Sequence, residues 1–167
     1  MQKNSKKVRL IGRGGSSNME IKIGIGLDDI VFGMSQEEVK TIMGKPDKIS
    51  ELDERIVYYF NVPLIKTAFD MTDDYKMYSI EVFNPETILF NKKVINETKS
   101  DIFGLLNSNG YYEIEGEEYD TFETLFCKDI WSTFMFEFNR LKSVEFSPLY
   151  GDDDKLIWPK RLNYVSF

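Results

Sequence analysis

The strongest constraint on the fold is a helix-start signal that occurs twice and is followed, at nearly the same distance, by a similar strand pattern. In the first half, Ser35 begins a capping sequence, and the segment "SIEVFNP" starts 44 residues later. In the second half, Thr98 begins a capping sequence, and "SVEFSP" starts 45 residues later. Equal spacing of matching elements indicates an internal repeat. We therefore expect two units with the same order of elements.

Both capping sequences are followed by an apolar helical face. Ser35 precedes Glu38 by three residues, the spacing at which a cap hydroxyl and an acidic side chain bind each other's backbone N–H groups. Thr98 and Asp101 repeat this spacing. Apolar residues then follow at offsets of 4, 7 and 8, which lie on one side of a helix. These residues are Val39, Ile42 and Met43 in the first unit and Ile102, Leu105 and Leu106 in the second.

Runs rich in aromatic residues follow each predicted helix. The chain has 13 Phe and 9 Tyr, which fit the half-buried surface of a β-sheet. We expect an α+β fold in which two tandem helix-then-β-meander units form an antiparallel sheet, with the helices packed on one face. The predicted organisation is a disordered basic leader or tag at 1–18, a first α+β unit at 19–96 and a second α+β unit at 97–167, with the two units sharing one globule.

Composition excludes several classes of function. The chain has no histidine, so it has neither a Ser-His-Asp triad nor a histidine metal site. Its single cysteine, Cys127, cannot form an internal disulfide, and its apolar surroundings predict a buried core residue. No apolar run approaches the roughly 20 residues that span a bilayer. We expect a cytoplasmic protein without a cofactor or a bound metal, and we expect no membrane partner.

Charge is distributed unevenly along the chain. Residues 1–18 carry five of the 21 basic residues and no acidic residue. The remainder carries 16 basic and all 28 acidic residues, a net charge of −12. An acidic body repels phosphate and attracts basic surfaces. We therefore expect a basic protein, and not a nucleic acid, as the partner.

The densest acidic sequence is "EIEGEEYD". Aromatic residues lie within it and on both sides of it, namely Tyr111, Tyr112, Tyr119 and Phe122. Tyrosine is enriched at interface hot spots, and carboxylates steer a basic partner. We predict a partner-binding site there, and we call its residues the acidic segment. They are Glu113, Glu115, Glu117, Glu118, Tyr119 and Asp120. The same pattern also fits an exposed edge strand that charge keeps soluble, and the sequence does not decide between these interpretations.

Three other sequences are weaker candidates for chemistry. The glycine-rich "IGRGGSSN" and "IGIG" do not match a phosphate-binding loop, because neither joins a strand to a helix in the required order. The sequence "GDDDK" at 151–155 lacks the alternating ligands of a calcium loop. Turns are the better interpretation of all three. Paired carboxylates also occur in hydrolases, but no active-site loop accompanies them here, so we expect no enzymatic activity.

The segment "IVFGMSQEEVKTIMGKPDKI" resembles the opening of the helix-then-sheet modules of the β-lactamase inhibitor protein family. It is also similar to the small lipoprotein of the outer-membrane β-barrel assembly machine. The residues that carry the resemblance are Gly33, Met34, Ser35, Glu37, Glu38, Gly44 and Pro46. Tandem modules of this kind occur in bacterial immunity proteins.

This resemblance implies a non-enzymatic immunity protein that binds a cognate toxin and occludes its active site. The acidic balance suggests that the toxin is basic, for example a nuclease. The alternative is a general protein-binding module of a regulatory or envelope-assembly type. A neighbouring toxin gene would favour the first function, and an operon of envelope genes would favour the second.

Deleting residues 1–18 is expected to leave the melting temperature almost unchanged, because their composition cannot bury a substantial apolar surface. Thermal unfolding of the full chain and of the shortened chain measures this directly. A loss of several degrees would show that Val8, Leu10 and Ile11 pack against the body.

Overall fold

One eight-stranded antiparallel sheet forms most of the fold. The structure is a computed structural model that describes residues 18–161, so the predicted basic leader lies outside the described residues apart from its last position. The elements of the first half are β1 (Ile21–Lys22), β2 (Gly26–Leu27), β3 (Ile30–Val31), α1 (Gln36–Met43), β4 (Lys48–Leu52), β5 (Arg55–Phe60), β6 (Ile65–Asp70) and β7 (Lys76–Val82). Those of the second half are β8 (Ile88–Leu89), β9 (Lys92–Lys93), α2 (Lys99–Ser108), β10 (Ile114–Glu118), β11 (Glu123–Cys127), β12 (Ser132–Glu137), β13 (Arg140–Phe146), β14 (Leu149–Tyr150) and β15 (Leu156–Ile157).

The large sheet has the spatial order β10-β11-β12-β13-β7-β6-β5-β4. Each neighbouring pair is antiparallel, and the junction between the two halves of the chain is the pairing of β13 with β7. The strands β1, β2 and β3 form a small separate sheet, and β8 with β9 and β14 with β15 form two-stranded pairs. The edges of the large sheet are therefore β10 and β4.

Both predicted helix starts are confirmed. Ser35 Oγ accepts a hydrogen bond from the Glu38 N–H at 3.2 Å, and the Ser35 N–H donates to Glu38 Oε1 at 2.9 Å. Thr98 and Asp101 make the equivalent pair of bonds. Gly44 ends α1 with a positive φ of 89°. These reciprocal capping bonds satisfy N–H groups that a helix start would otherwise leave unpaired.

The pairing of β7 with β13 also builds the centre of the core. Val144 lies opposite Val82, and Phe146 lies opposite Ile80. All four side chains are essentially buried. Because successive residues of a strand point to opposite faces, the residues between them point to the other side of the sheet.

Short strands and the segments that connect them cover most of the buried side of the sheet, and each helix adds one or two buried side chains. Phe32, which follows β3, contacts Phe146 edge to face, with 5.6 Å between the ring centroids. Val39 of α1 and Ile102 and Leu106 of α2 are fully buried in the same core. Burying one such side chain contributes about 1.5–3 kcal/mol. The core therefore lies on one side of the large sheet only.

The predicted fold class is wrong. The chain is a mostly antiparallel β protein organised by one eight-stranded sheet, and it is not a pair of helix-then-sheet units with helices packed on the sheet. The helices are 8 and 10 residues long, and short strands share the covering of the core with them. Capping sequences and strand spacing are local signals. They locate elements, but they do not specify how those elements associate.

The turn between β12 and β13 contains an exposed aromatic residue. Phe138 and Asn139 have φ values of 50° and 61°, a conformation that hairpins usually give to Asn-Gly. Asn139 uses its side chain to accept a hydrogen bond from the Lys99 N–H. Phe138 is 96% exposed, so its ring gains no burial that would offset the backbone cost.

Replacing Phe138 by Gly is expected to stabilise the protein by about 0.5–1 kcal/mol. Relief of the left-handed conformation gives about 1–2 kcal/mol, and the greater freedom of glycine in the unfolded chain cancels part of it. Phe138→Ser is the matched control, because it removes the ring and keeps the backbone cost, so its stability should stay near that of the wild type. Urea unfolding measures both variants. A Phe138→Gly variant less stable than the wild type would contradict this account of the turn.

Candidate functional site

The side of the large sheet opposite the core carries polar and aromatic side chains. At its centre, Glu145 of β13 lies directly opposite Glu81 of β7. We call this side the open face. Two adjoining clefts on it are lined by residues that include Arg55, Tyr59, Lys66, Tyr78, Ser79, Glu81, Phe126, Trp131, Thr133 and Glu145. The strand alternation that buries the core residues of β7 and β13 therefore presents these side chains together.

Each central carboxylate is held by a serine of the opposite strand. Ser143 Oγ donates a hydrogen bond to Glu81 Oε2 at 2.8 Å. Ser79 Oγ donates to Glu145 Oε2 at 3.1 Å. Both serines are buried, so their hydroxyl groups have little access to water. The two carboxylates are thus held side by side, where like charges normally repel.

The environment of Glu81 raises the pKa of its carboxyl group above the ordinary glutamate value. Burial is the largest cause and raises the pKa of Glu81, and the neighbouring charge of Glu145 acts in the same direction. The hydrogen bond from Ser143 and the Lys66 ammonium, 3.7 Å away, act against this shift. Burial outweighs these partners, so the folded protein holds a proton on Glu81 more tightly than the unfolded chain does.

Cationic side chains lie on the β5 and β6 side of the two carboxylates. Arg55 and Lys66 line a cleft of about 230 Å³ together with Glu81 and Glu145. Lys66 Nζ also lies 5.4 Å from the centroid of the Tyr59 ring, within the range of a cation–π contact. Among the described residues, the buried Nε of Arg55 has no hydrogen-bond partner.

Aromatic side chains lie on the β11 and β12 side. A cleft of about 250 Å³ is lined by Tyr78, Phe126, Trp131 and Tyr150, and Glu145 also lines it. Phe126 and Trp131 pack edge to face, with 5.2 Å between their centroids. The open face therefore changes along the sheet from a cationic region, through paired carboxylates, to an aromatic region.

The structure places the predicted acidic segment on and beside the edge strand β10. Glu115 lies opposite Phe126 and Glu117 opposite Thr124, which places both on the side of the open face. Glu118 pairs with Glu123, and both residues lie on the core side of the sheet. The acidic segment is thus exposed at an edge, but its strand residues are divided between two faces.

The remaining members of the acidic segment flank this strand. Glu113 precedes β10 and is exposed, and Tyr119 and Asp120 follow β10 in the turn to β11. The Tyr119 hydroxyl donates to Glu117 Oε2 at 3.0 Å, and the Tyr119 ring stacks on Phe122 at 4.5 Å. Tyr119 is therefore held in place while about half of its surface remains exposed.

No contiguous sequence pattern marks the central pair, Glu81 and Glu145, as a site. The repeat contained the necessary signal, because its closing strands align "SIEV" with "SVEF". This alignment matches Ser79 with Ser143 and therefore Glu81 with Glu145. The charges of the acidic segment lie within one short stretch of sequence, whereas the central pair is assembled only when β7 meets β13.

Other sequence candidates do not join this site. Cys127 is fully buried, as predicted, and burial raises the pKa of its thiol. The "GDDDK" sequence forms the connection between β14 and β15. Within residues 18–161, no group of three His, Cys, Asp or Glu side chains is placed to hold a metal ion. No helix in this range is long and apolar enough to cross a membrane.

Comparison with known proteins gives no family assignment. No family model matches the chain, and no curated protein matches it. An extracellular protein with an SCP domain from Bacillus anthracis is structurally similar, with 14% identity, a TM-score of 0.48, and coverage of 78% of this chain and 50% of that one. A cysteine-rich secretory protein from Staphylococcus aureus has 16% identity, a TM-score of 0.45, and coverage of 70% and 42%.

A DUF4309 family protein from Bacillus subtilis is also similar, with 12% identity and a TM-score of 0.48. The structural match covers 84% of this chain and 96% of the Bacillus subtilis protein. This chain spans about half the length of the two proteins from Bacillus anthracis and Staphylococcus aureus. At these scores and identities, the similarities carry no argument about activity or partners.

Glu81→Gln is expected to change the dependence of stability on pH. Because the folded state raises the pKa of Glu81, this residue's contribution to stability is greatest below the ordinary glutamate pKa and is lost as pH rises through the raised value. Gln cannot ionise and still accepts a hydrogen bond from Ser143, so this part of the decline should disappear. Urea unfolding between pH 4 and 7 measures it.

Glu51→Gln, on the exposed edge strand β4, is the control and should retain the wild-type profile. If Glu81→Gln also retained the wild-type profile, the proposed environment of the buried carboxylate would be incorrect.

Proposed function

We propose that this chain is a non-enzymatic binding protein whose partner is a basic protein, and that it inhibits this partner by covering its functional surface. Specifically, we propose that it is a cytoplasmic immunity protein that occludes the active site of a bacterial toxin such as a nuclease. The observation that carries the proposal is the open face, where paired carboxylates lie between cationic and aromatic side chains.

Net charge supports a basic partner. From residue 19 onward the chain has 16 basic and 28 acidic residues. A net charge of −12 attracts a basic protein over several ångströms and repels nucleic acid. The acidic segment adds carboxylates at the β10 edge, beside the open face. It therefore belongs to the rim of the proposed interface, where charge acts mainly on the association rate.

The size of the open face also suits a protein partner. Eight strands spaced about 4.8 Å apart and about five residues long give a surface of roughly 600 Å² in plan. A stable protein–protein interface buries about 800 Å² on each partner. The open face together with its rim approaches this area. Its two main clefts are partly open to solvent, so a protein surface fits them better than an enclosed small molecule does.

Affinity capture from the native host, followed by purification of the captured protein, tests the proposal. We expect a protein of high isoelectric point whose own activity is lost when it binds this chain in equimolar amount. Thr133→Arg, which places a bulky cation on the open face beside Glu145, should weaken binding by tenfold or more. Thr41→Arg, on the exposed side of α1, is the matched control and should bind normally.

An acidic captured partner, or equal weakening by both arginine variants, would contradict the proposal. A basic partner that is bound at the open face but keeps its activity would contradict only the inhibitory function. That result would favour the alternative, a general protein-binding module.

Replacing Glu115, Glu117 and Glu118 together by Gln should slow association with the captured partner and reduce its dependence on salt. The reason is that rim charges steer the encounter, and salt screens them over about 8–10 Å. The dissociation rate and the folding stability should change much less, because exposed carboxylates contribute little to stability. Surface plasmon resonance at two salt concentrations measures both rates. An unchanged association rate at low salt would show that the acidic segment only keeps the β10 edge soluble.

A further inference from the structure

The connection between β11 and β12 holds a tryptophan in an unfavourable backbone conformation. Trp131 follows a 3-10 turn, Lys128–Ile130, and has a φ of 44° and a ψ of 54°. Large side chains rarely occupy this left-handed region. Its neighbours Ile130 and Ser132 are buried, whereas Trp131 is only partly buried. Local strain of this kind is concentrated at functional sites.

Trp131 belongs to a group of three aromatic rings. The ring of Phe126 meets it edge to face at 5.2 Å, and the ring of Tyr150 lies 4.4 Å away at an angle of 60°. Tyr150 is part of β14, so the β14–β15 hairpin brings it to Trp131. Tyr150 remains 44% exposed. The neighbouring rings therefore fix the orientation of Trp131 while the pair stays accessible.

Trp131 and Tyr150 line two clefts. The first is the aromatic cleft of the open face, which contains Glu145. The second is larger, about 610 Å³, and its polar lining includes Asp129, Asp152 and Asp154. Carboxylates are thus present on both sides of the aromatic pair.

Among the described residues, the larger cleft is lined by three aspartates and one lysine, so its net charge is negative. Within residues 18–161, no salt bridge engages Asp129, Asp152 or Asp154. Lys128 is the single basic residue that lines this cleft in the described part of the chain. These carboxylates are not grouped as metal ligands. Their charge is therefore available to an organic cation.

We infer that the Trp131–Tyr150 pair is the docking point for an arginine side chain of a basic partner protein. Aromatic faces attract cations, and a guanidinium group can stack on an indole ring while it donates paired hydrogen bonds to a carboxylate. Lysine offers the same charge without the planar stacking surface. The source of the arginine, a basic protein, rests on the proposed function, whereas recognition of the guanidinium group depends only on these residues.

A peptide probe tests this site without the natural partner. The probe is acetyl-Gly-Arg-Gly-amide, and the matched neutral probe has citrulline in place of arginine. Trp131 and Trp158 are the two tryptophans of the chain, so NMR of their indole N–H groups gives a signal at the site and an internal reference. We expect the arginine peptide to shift the Trp131 signal saturably, with a dissociation constant on the order of millimolar. The citrulline peptide should not shift it, and Trp158 should not respond to either peptide.

Variants separate the contributions of the rings and the carboxylates. Trp131→Gly removes the indole ring and relieves the left-handed backbone strain, so we expect this variant to fold. It should no longer bind the arginine peptide, and the backbone amide signals around the site measure this loss. Tyr150→Ala, and Asp152→Asn combined with Asp154→Asn, should each weaken peptide binding by roughly threefold or more, because each removes an aromatic face or the opposite charge.

Three results would overturn the inference. These are no shift of Trp131 at saturating peptide concentrations, an equal shift with the citrulline peptide, and a response to calcium ions without one to the arginine peptide. If the arginine peptide fails while a captured basic protein still binds, the docking point is wrong and the proposed function stands. If the peptide binds at Trp131 but no basic partner exists, the site stands and the proposed function is wrong.

Discussion

The structure depends on the pairing of β7 with β13. Three cross-strand pairs, Ile80 with Phe146, Glu81 with Glu145, and Val82 with Val144, join four strands from each half of the chain into one sheet. The apolar pairs face the covered side and form the centre of the core. The acidic pair faces away from it. A shift of one residue in this register would exchange the two faces, burying the carboxylates and exposing the core residues. Burial of the apolar pairs therefore also fixes the position of the carboxylates.

The acidic pair opposes folding to a small extent, as we expect of the binding surface that we propose. Two carboxylates that are direct neighbours across a strand pair repel each other, and partial burial of Glu81 adds a desolvation cost. Ser79 and Ser143 offset part of this cost by hydrogen bonding across the junction. A cation supplied by a partner would offset the remainder. Stability is commonly lower at functional sites for this reason, since groups arranged for a ligand are incompletely satisfied without it. The strained conformation of Trp131 follows the same pattern at the end of β11.

The sequence predicted the features that depend on neighbouring residues. Ser35 and Thr98 cap their helices because the partner of each hydroxyl lies three residues away, and Cys127 is buried because its own strand is apolar. The fold class could not be obtained in this way, because the association of β7 with β13 joins residues 64 positions apart. The same limit explains the candidate site. The acidic segment is contiguous and was visible, whereas the open face combines side chains from several strands. Only the repeat offered a signal for Glu81 and Glu145, through the alignment of their two closing strands.

A double-mutant cycle between Glu81 and Glu145 tests most directly whether this pairing builds the open face. The free energy of unfolding would be measured at pH 7 for the wild type, both single Gln variants and the double variant. Side-by-side carboxylates predict a repulsive coupling of about 0.5–1 kcal/mol, so that replacing one glutamate stabilises the protein less when the other is already Gln. The coupling should decrease at a pH low enough to protonate both carboxyl groups. Independent, additive effects at pH 7 would mean that the two side chains are not neighbours, and the account of the β7–β13 junction and of the open face would be wrong.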